Sequence, residues 1–353
     1  MVNVKKPLGI IIVSMMAFGI FTVNCAWSAD QVRWKLPTAF GTSLPALGDQ
    51  IVEIVKDMKT MSDGEIQVKV FEPKALVPSS GITQAVKDNK LPAGYTWLGY
   101  DQGRIPASAL LAAGPPFSYD PTEFISWWYE GGGKVLAEEL YAPHNIRPIL
   151  CGLSGPETGG WYQKELKTID DFKGLKIRFS GLGGTILQKA GASITMLPGG
   201  ELFPALEKGA LDATEFATPA VDVKLGFYKV AKYNYFPGWH QPATSFHLIV
   251  NQTVWDGLST SQQSIVENSC TAGVLKNLAR GEALSGPQII ANKDNGVEVR
   301  SFPENILDDL RVITKEVMAE QSAKDASFKK IYESQQTFDK TYKEWSQIGY
   351  LPR

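Results

Sequence analysis

Strand patterns of period two alternate with helix patterns of period 3.6 along most of this chain, and they do so in two separate blocks. Val32-Arg33-Trp34-Lys35-Leu36 alternates apolar with polar and predicts a first strand. Leu47, Ile51, Ile54, Val55 and Met58 then recur at helical spacing, closing near Gly64. Residues 66–71 alternate again, 77–90 predict a short helical region, and 94–99 a third strand. An opening of the form β-α-β-α-β implies a parallel sheet with helices on its faces.

The second block starts near residue 148. Arg147-Pro148-Ile149-Leu150-Cys151-Gly152 predicts a strand, and so does Lys173-Gly174-Leu175-Lys176-Ile177-Arg178-Phe179. A helix over 183–190, a strand over 193–197, a helix over 203–209 and a short strand over 213–216 follow. Residues 245–251 predict a strand that returns to the first sheet. Ser259, with Gln262 three positions on, forms a capping box for a helix reaching about Lys293 and kinked at Pro287. A strand over 297–302 and a charged helical segment over 303–347 complete the chain. The expectation is a two-lobed α/β protein with mostly parallel sheets, an inter-lobe cleft and long inter-lobe helices. Residues 30–147 and 243–285 are assigned to lobe I. Residues 148–242 and 286–353, with the C-terminal helices, are assigned to lobe II. Ligands favour such clefts and the carboxyl ends of strands.

The N-terminus bears on compartment. Lys5 and Lys6 precede a nearly uncharged apolar stretch, Leu8 to Ala26, and then Ala26-Trp27-Ser28-Ala29. That is the layout of a secretory signal peptide over residues 1–29, with cleavage near Ser28 or Ala29. The alternatives are a membrane anchor, at the lower length limit for a span, and a lipid on Cys25, for which Asn24 is a poor neighbour. Removing two lysines moves the formal charge from −2 to −4. Such a chain has no bulk attraction for nucleic acid. Only Cys151 and Cys270 remain beyond the leader. An oxidising compartment would let them pair, but sequence cannot bring them within bonding distance; buried small hydrophobes are the plainer expectation. His144, His240 and His247 lack the spacing of a zinc site.

Arg178 shares a strand face with Lys176, and its guanidinium can hold a carboxylate through two parallel hydrogen bonds. Glu215 follows a helix closed by Gly209, and Glu157 lies in the turn Ser154-Gly155-Pro156-Glu157-Thr158-Gly159-Gly160. Each has a plain alternative as a solvated charge, and none is specific alone. Gly181-Leu182-Gly183-Gly184 reads as a turn, because it lacks the dinucleotide fingerprint and the P-loop lysine-hydroxyl pair. No G-x-S-x-G elbow is present. Trp97, Trp127, Trp128, Trp161 and Trp239 are expected mostly in lobe packing, with one or two walling the cleft.

Gly64-Glu65-Ile66-Gln67-Val68-Lys69-Val70-Phe71, Phe172-Lys173-Gly174-Leu175-Lys176-Ile177-Arg178 and Ala205-Leu206-Glu207-Lys208-Gly209-Ala210-Leu211-Asp212-Ala213 resemble the receptors of tripartite ATP-independent periplasmic (TRAP) transporters. Gly159-Gly160-Trp161-Tyr162, the run Lys224 to Tyr233, and Phe236-Pro237-Gly238-Trp239 narrow the resemblance to the branch that binds 2-oxo acids. It implies a non-catalytic periplasmic receptor of the two-lobed periplasmic-binding-protein fold. Its ligand would be a small monocarboxylate such as pyruvate or lactate, and its partners the membrane subunits. Arg178 is implied to clamp the carboxylate. A cation bridging protein and ligand is implied to be held by position 157, the Glu215 side chain and the carbonyl of Phe216. Tyr95, Trp97 and Trp239 are implied to form an aromatic wall.

This chain departs from the branch, which has glutamine at position 157, tryptophan at 216 and a polar residue near Leu153. Arg178, two glutamates and a monoanionic ligand sum to −2. A divalent ion neutralises this and sodium leaves −1, so Ca²⁺ is expected over Na⁺. Leu153 suggests a more apolar substrate tail. The alternatives are another carboxylate, a ligand with a cationic group, a sensor receptor, or an enzyme on the same fold. The segment Asn305 to Gln347 either folds back on its own lobes or exchanges with a second copy in a homodimer.

Overall fold

The computed structural model describes residues 1–3 and 31–351, so the signal-peptide reading lies outside the described residues. No helix among the described residues is long and apolar enough to cross a membrane.

β1 (Val32–Pro37) buries Val32, Trp34 and Leu36 and exposes Arg33 and Lys35, as its alternation requires. α1 (Asp49–Met61) turns Ile51, Ile54 and Met58 inward. β2 (Ile66–Phe71) then pairs parallel to β1. α2 (Ile82–Lys87) leads to β3 (Ala93–Thr96), which is joined to the β1–β2 pair by a bridge between Thr38 and Tyr95. α3 (Ser108–Ala113), α4 (Pro121–Glu130) and α5 (Gly133–Tyr141) follow. α3 is buried on every side, so it shows no amphipathic period to read.

β4 (Ile146–Ser154) pairs with β10 (Thr244–Asn251), which pairs with β3. The expected lobe boundary at 148 is therefore corrected: residues 146–154 hydrogen-bond into the first sheet. The second sheet has the order β11-β9-β5-β8-β6-β7. Its strands are β5 (Gly160–Tyr162), β6 (Lys176–Arg178), β7 (Ser193–Thr195), β8 (Ala213–Thr214), β9 (Tyr233–Phe236) and β11 (Glu298–Ser301). α6 (Gly181–Lys189), α7 (Gly199–Glu207) and α8 (Pro219–Leu225) connect them, and α9 (Gln252–Asp256) follows β10. Parallel pairing holds for β1·β2, β6·β7, β6·β8 and β9·β11. β10 and β5 run antiparallel to both neighbours, so the sheets are mixed rather than mostly parallel. The reason is topological: each of these strands follows or precedes a crossing between lobes.

α10 (Thr260–Asp294) is the third connection between lobes, and Ser259 and Gln262 form the expected capping box. A Cβ at Gly273 would stand 2.7 Å from the Cys151 carbonyl oxygen, so glycine lets α10 press onto β4. That approach brings Cys151 and Cys270 to a Cα separation of 4.0 Å, and they form a disulfide. The expectation of two free buried thiols is thus corrected.

α11 (Glu304–Lys324) packs against α6, and α12 (Ala326–Gly349) lies on α3, α4 and α5 of its own chain. Phe328 and Ile331 join the core of lobe I. The assignment of all C-terminal helices to lobe II is corrected for α12, whose inward face reads Phe328, Ile331, Gln335.

Candidate functional site

The β6–β8 pairing sets Arg178 opposite Thr214, so Arg178 and Glu215 meet at the carboxyl ends of adjacent parallel strands. Arg178 is 2 % exposed and Glu215 is fully buried. Arg178 Nη1 donates to the Glu215 carbonyl at 2.6 Å and to Glu215 Oε2 at 3.0 Å. Nε donates to the Leu197 carbonyl at 3.3 Å. These bonds leave Nη2 without a protein partner among the described residues. The Phe216 ring lies 5.1 Å from the guanidinium carbon. The Ser180 N–H and hydroxyl donate to Glu215 Oε2 at 3.1 and 3.2 Å. Burial alone would raise the Glu215 pKa, but Arg178 and these donors hold it below the usual carboxylate range.

Glu157 lies on the crossing from β4 to β5, and His240 on the crossing from β9 to β10. The two crossings are pressed together. A Cβ at Gly238 would stand 2.2 Å from the Glu157 carbonyl oxygen, and the Glu157 N–H donates to the Gln241 carbonyl at 3.3 Å. Glu157 Oε1 accepts from the Thr244 hydroxyl at 2.8 Å. Its Oε2 has no hydrogen bond. His240 Nε2 stands 3.7 Å from both Glu157 Oε2 and Glu215 Oε1. That is an ion-pair distance, too long for a hydrogen bond. Burial and the charge of Glu215 push the Glu157 pKa up. Burial opposes charge on His240, but the two carboxylates prevail and raise its pKa. Buried Asp222 accepts from Thr158 Oγ1, Trp161 Nε1 and the Ala217 N–H, tying the Glu157 crossing to the chain after Glu215.

A narrow cavity of about 20 Å³ lies between the lobes. Lobe I supplies Phe40, Leu47, Trp97, Tyr100 and Phe246; the opposite side supplies Arg178, Ser180, Phe216 and Glu157. Outside it, Lys74 pairs with Glu201 at 2.7 Å and Gln102 donates to Thr185 at 3.3 Å across the cleft.

The structure brings Arg178, Glu157, Glu215, Phe216 and Trp97 together, and leaves three expected residues outside. Tyr95 is buried in the lobe I sheet against Phe40. Trp239 stacks between Phe117 and Phe179, behind His240. Leu153 is fully buried in the lobe I core and its carbonyl accepts from Asn277, so it does not shape the substrate tail. His240, which the sequence reading set aside, stands beside both carboxylates. Glu157, Glu215 and His240 each place a donor atom within 4.8 Å of the others. Sequence spacing missed this because 83 residues separate Glu157 from His240. The signal present was the Pro237-Gly238 turn before it.

Two α/β lobes closed over a buried arginine and carboxylates define a solute receptor that binds in its cleft. The chain belongs to the bacterial extracellular solute-binding protein family 7, whose model matches residues 43–325. It is a binding protein, not an enzyme. It is 32 % identical over 321 residues to a monocarboxylate 2-oxoacid-binding periplasmic protein of Nostoc sp., covering 91 % of this chain and 87 % of that one. A TRAP transporter solute-binding protein from Bordetella bronchiseptica, solved with calcium and picolinate, superposes with a TM-score of 0.88 at 31 % identity, over 90 % of this chain and 94 % of that one. A TRAP solute-binding protein from Pseudoalteromonas atlantica with sodium and pyruvate gives 0.87 at 31 % identity, over 90 % and 97 %. One from Colwellia psychrerythraea with calcium and pyruvate gives 0.85 at 30 % identity, over the same shares.

Proposed function

We propose that this chain is the periplasmic receptor of a TRAP transporter, that it captures a small 2-oxo or 2-hydroxy monocarboxylate of the pyruvate or lactate class, and that it delivers it to the membrane subunits. The observation that supports this most is the buried Arg178, whose Nη1 and Nε are pinned by protein oxygens while the residue lines the cavity. A guanidinium fixed in this way presents its remaining N–H groups to a carboxylate at little entropic cost.

A divalent cation bridges ligand and protein in this reading. Glu157 Oε2 is buried and unpartnered, and a bound carboxylate adds a further negative charge. Two glutamates, Arg178 and a monoanion sum to −2, which a divalent ion neutralises and sodium does not. Calcium is therefore favoured over sodium. Phe216 sits at the same strand end and contributes its carbonyl. Closure of lobe I over the loaded lobe II creates the surface the membrane subunits recognise.

The test is thermal shift of metal-stripped protein with 2-oxo and 2-hydroxy acids, with calcium and with chelator. Ligand at 100 times its Kd raises stability by about 2.7 kcal/mol if only the folded state binds. A shift produced by neutral or cationic compounds instead would sink the carboxylate reading.

A further inference from the structure

We infer that the His240 imidazole is a metal ligand, and that the site prefers a first-row divalent ion of the manganese-to-zinc series over calcium or sodium. The inference rests on the cation-bridged receptor reading above.

Three observations converge. His240 is 2 % exposed, yet neither ring nitrogen has a hydrogen bond. His247, buried in the apolar core, is equally unbonded, so what sets His240 apart is the pair of carboxylates its ring faces. Its Nε2 is equidistant, at 3.7 Å, from the unpartnered Glu157 Oε2 and from Glu215 Oε1. All three donors lie close enough together to surround one ion. The ring is also built into place: Phe179 packs against it at 4.5 Å between centroids and Trp239 at 5.6 Å. The Gly238 approach holds its loop against the Glu157 loop.

The donor chemistry then selects the ion. Sodium and calcium seek oxygen, whereas imidazole suits first-row transition ions, and two carboxylates are compatible with either. Formal charge agrees. Two glutamates, Arg178, a ligand carboxylate and a divalent ion sum to zero only with a neutral imidazole, whose lone pair is then free to bind the ion. A 2-oxo acid completes the sphere through a carboxylate oxygen and its oxo oxygen.

Pulsed electron paramagnetic resonance of the metal-stripped wild-type chain, reloaded with Mn²⁺ and pyruvate, reads this directly. The expected result is hyperfine coupling from a directly bound nitrogen that changes when histidine is ¹⁵N-labelled. Calorimetry should show Mn²⁺ or Zn²⁺ binding about tenfold or more tightly than Ca²⁺. His240→Asn, which keeps a buried polar group, should lose the coupling and bring the Ca²⁺ and Mn²⁺ affinities together. Mn²⁺ bound without nitrogen coupling, or wild-type protein preferring Ca²⁺, overturns the inference while an ion-dependent pyruvate response keeps the receptor reading. A pyruvate response indifferent to every ion overturns the inference and the cation bridge together, and leaves the carboxylate receptor standing.

Discussion

The two walls of the cleft differ in kind. Lobe I offers Phe40, Leu47, Trp97, Tyr100 and Phe246, which are apolar or aromatic; the other side, with the crossings, lines the cleft with Arg178, Ser180 and Glu157 beside Phe216, and Glu215 and His240 are buried next to these charged groups. Charged groups need preset partners, and Arg178 and Glu215 have theirs within one sheet, before any closure. An apolar wall needs no such partners and gains from excluding water. Under the proposed function, the asymmetry implies an order of events: lobe II and the crossings recognise charge, and lobe I closes as the cover.

The harshest way to break that comparison is Arg178→Ala. It should abolish the carboxylate response, costing binding about 2–5 kcal/mol and leaving Glu215 buried without its partner. Calorimetry reads the first effect and thermal melting the second; an undiminished response would place recognition elsewhere. Removing the disulfide with Cys151→Ala and Cys270→Ala should lower stability by about 2–5 kcal/mol. Both cysteines belong to lobe I, so ligand affinity measured well below the melting temperature should hardly change. Phe246→Ala thins the cover, and about a tenfold loss of affinity, or 1.4 kcal/mol, is expected with ion preference unchanged. A changed ion preference would contradict the division of labour. Glu157→Gln should act the other way, altering ion preference towards monovalent cations more than affinity, as titration with Na⁺ and Ca²⁺ would reveal.

The smallest effect concerns Glu123, buried on α4, far from the charged wall. Burial and the neighbouring Asp339 of α12 push its pKa up to about 8. The folded state therefore keeps a proton between about pH 4.5 and 8 that the unfolded state has released, and stability falls as pH rises through that window. Glu123→Gln should flatten that decline. Melting curves between pH 5 and 8 that stay parallel for both proteins would refute it.

Much of this was legible in the sequence where periodicity and local chemistry coincide. β1, β2 and the α10 cap stand where alternation and the Ser259–Gln262 pair put them. Arg178 and Glu215 were found through the resemblance; their contact depends on the β6–β8 register. Other features depend on long-range packing that no local pattern encodes. β4 alternates like any strand, and only its pairing with β10 assigns it to lobe I. Tyr95 and Trp239 have the right chemistry for a cleft wall, but their rings are taken up by Phe40 and by Phe117 and Phe179. His240 meets Glu157 because two crossings, distant in sequence, run side by side.

The disulfide has a mechanical consequence. β4 feeds the first crossing and α10 is itself the third, so the Cys151–Cys270 bond yokes two of the four connections at their lobe I ends. Those connections cannot slide past one another there. Opening is thereby steered towards rotation about a hinge beyond the yoke and away from translation of one lobe over the other. The covalent bond thus restricts the direction of motion as well as the unfolded chain.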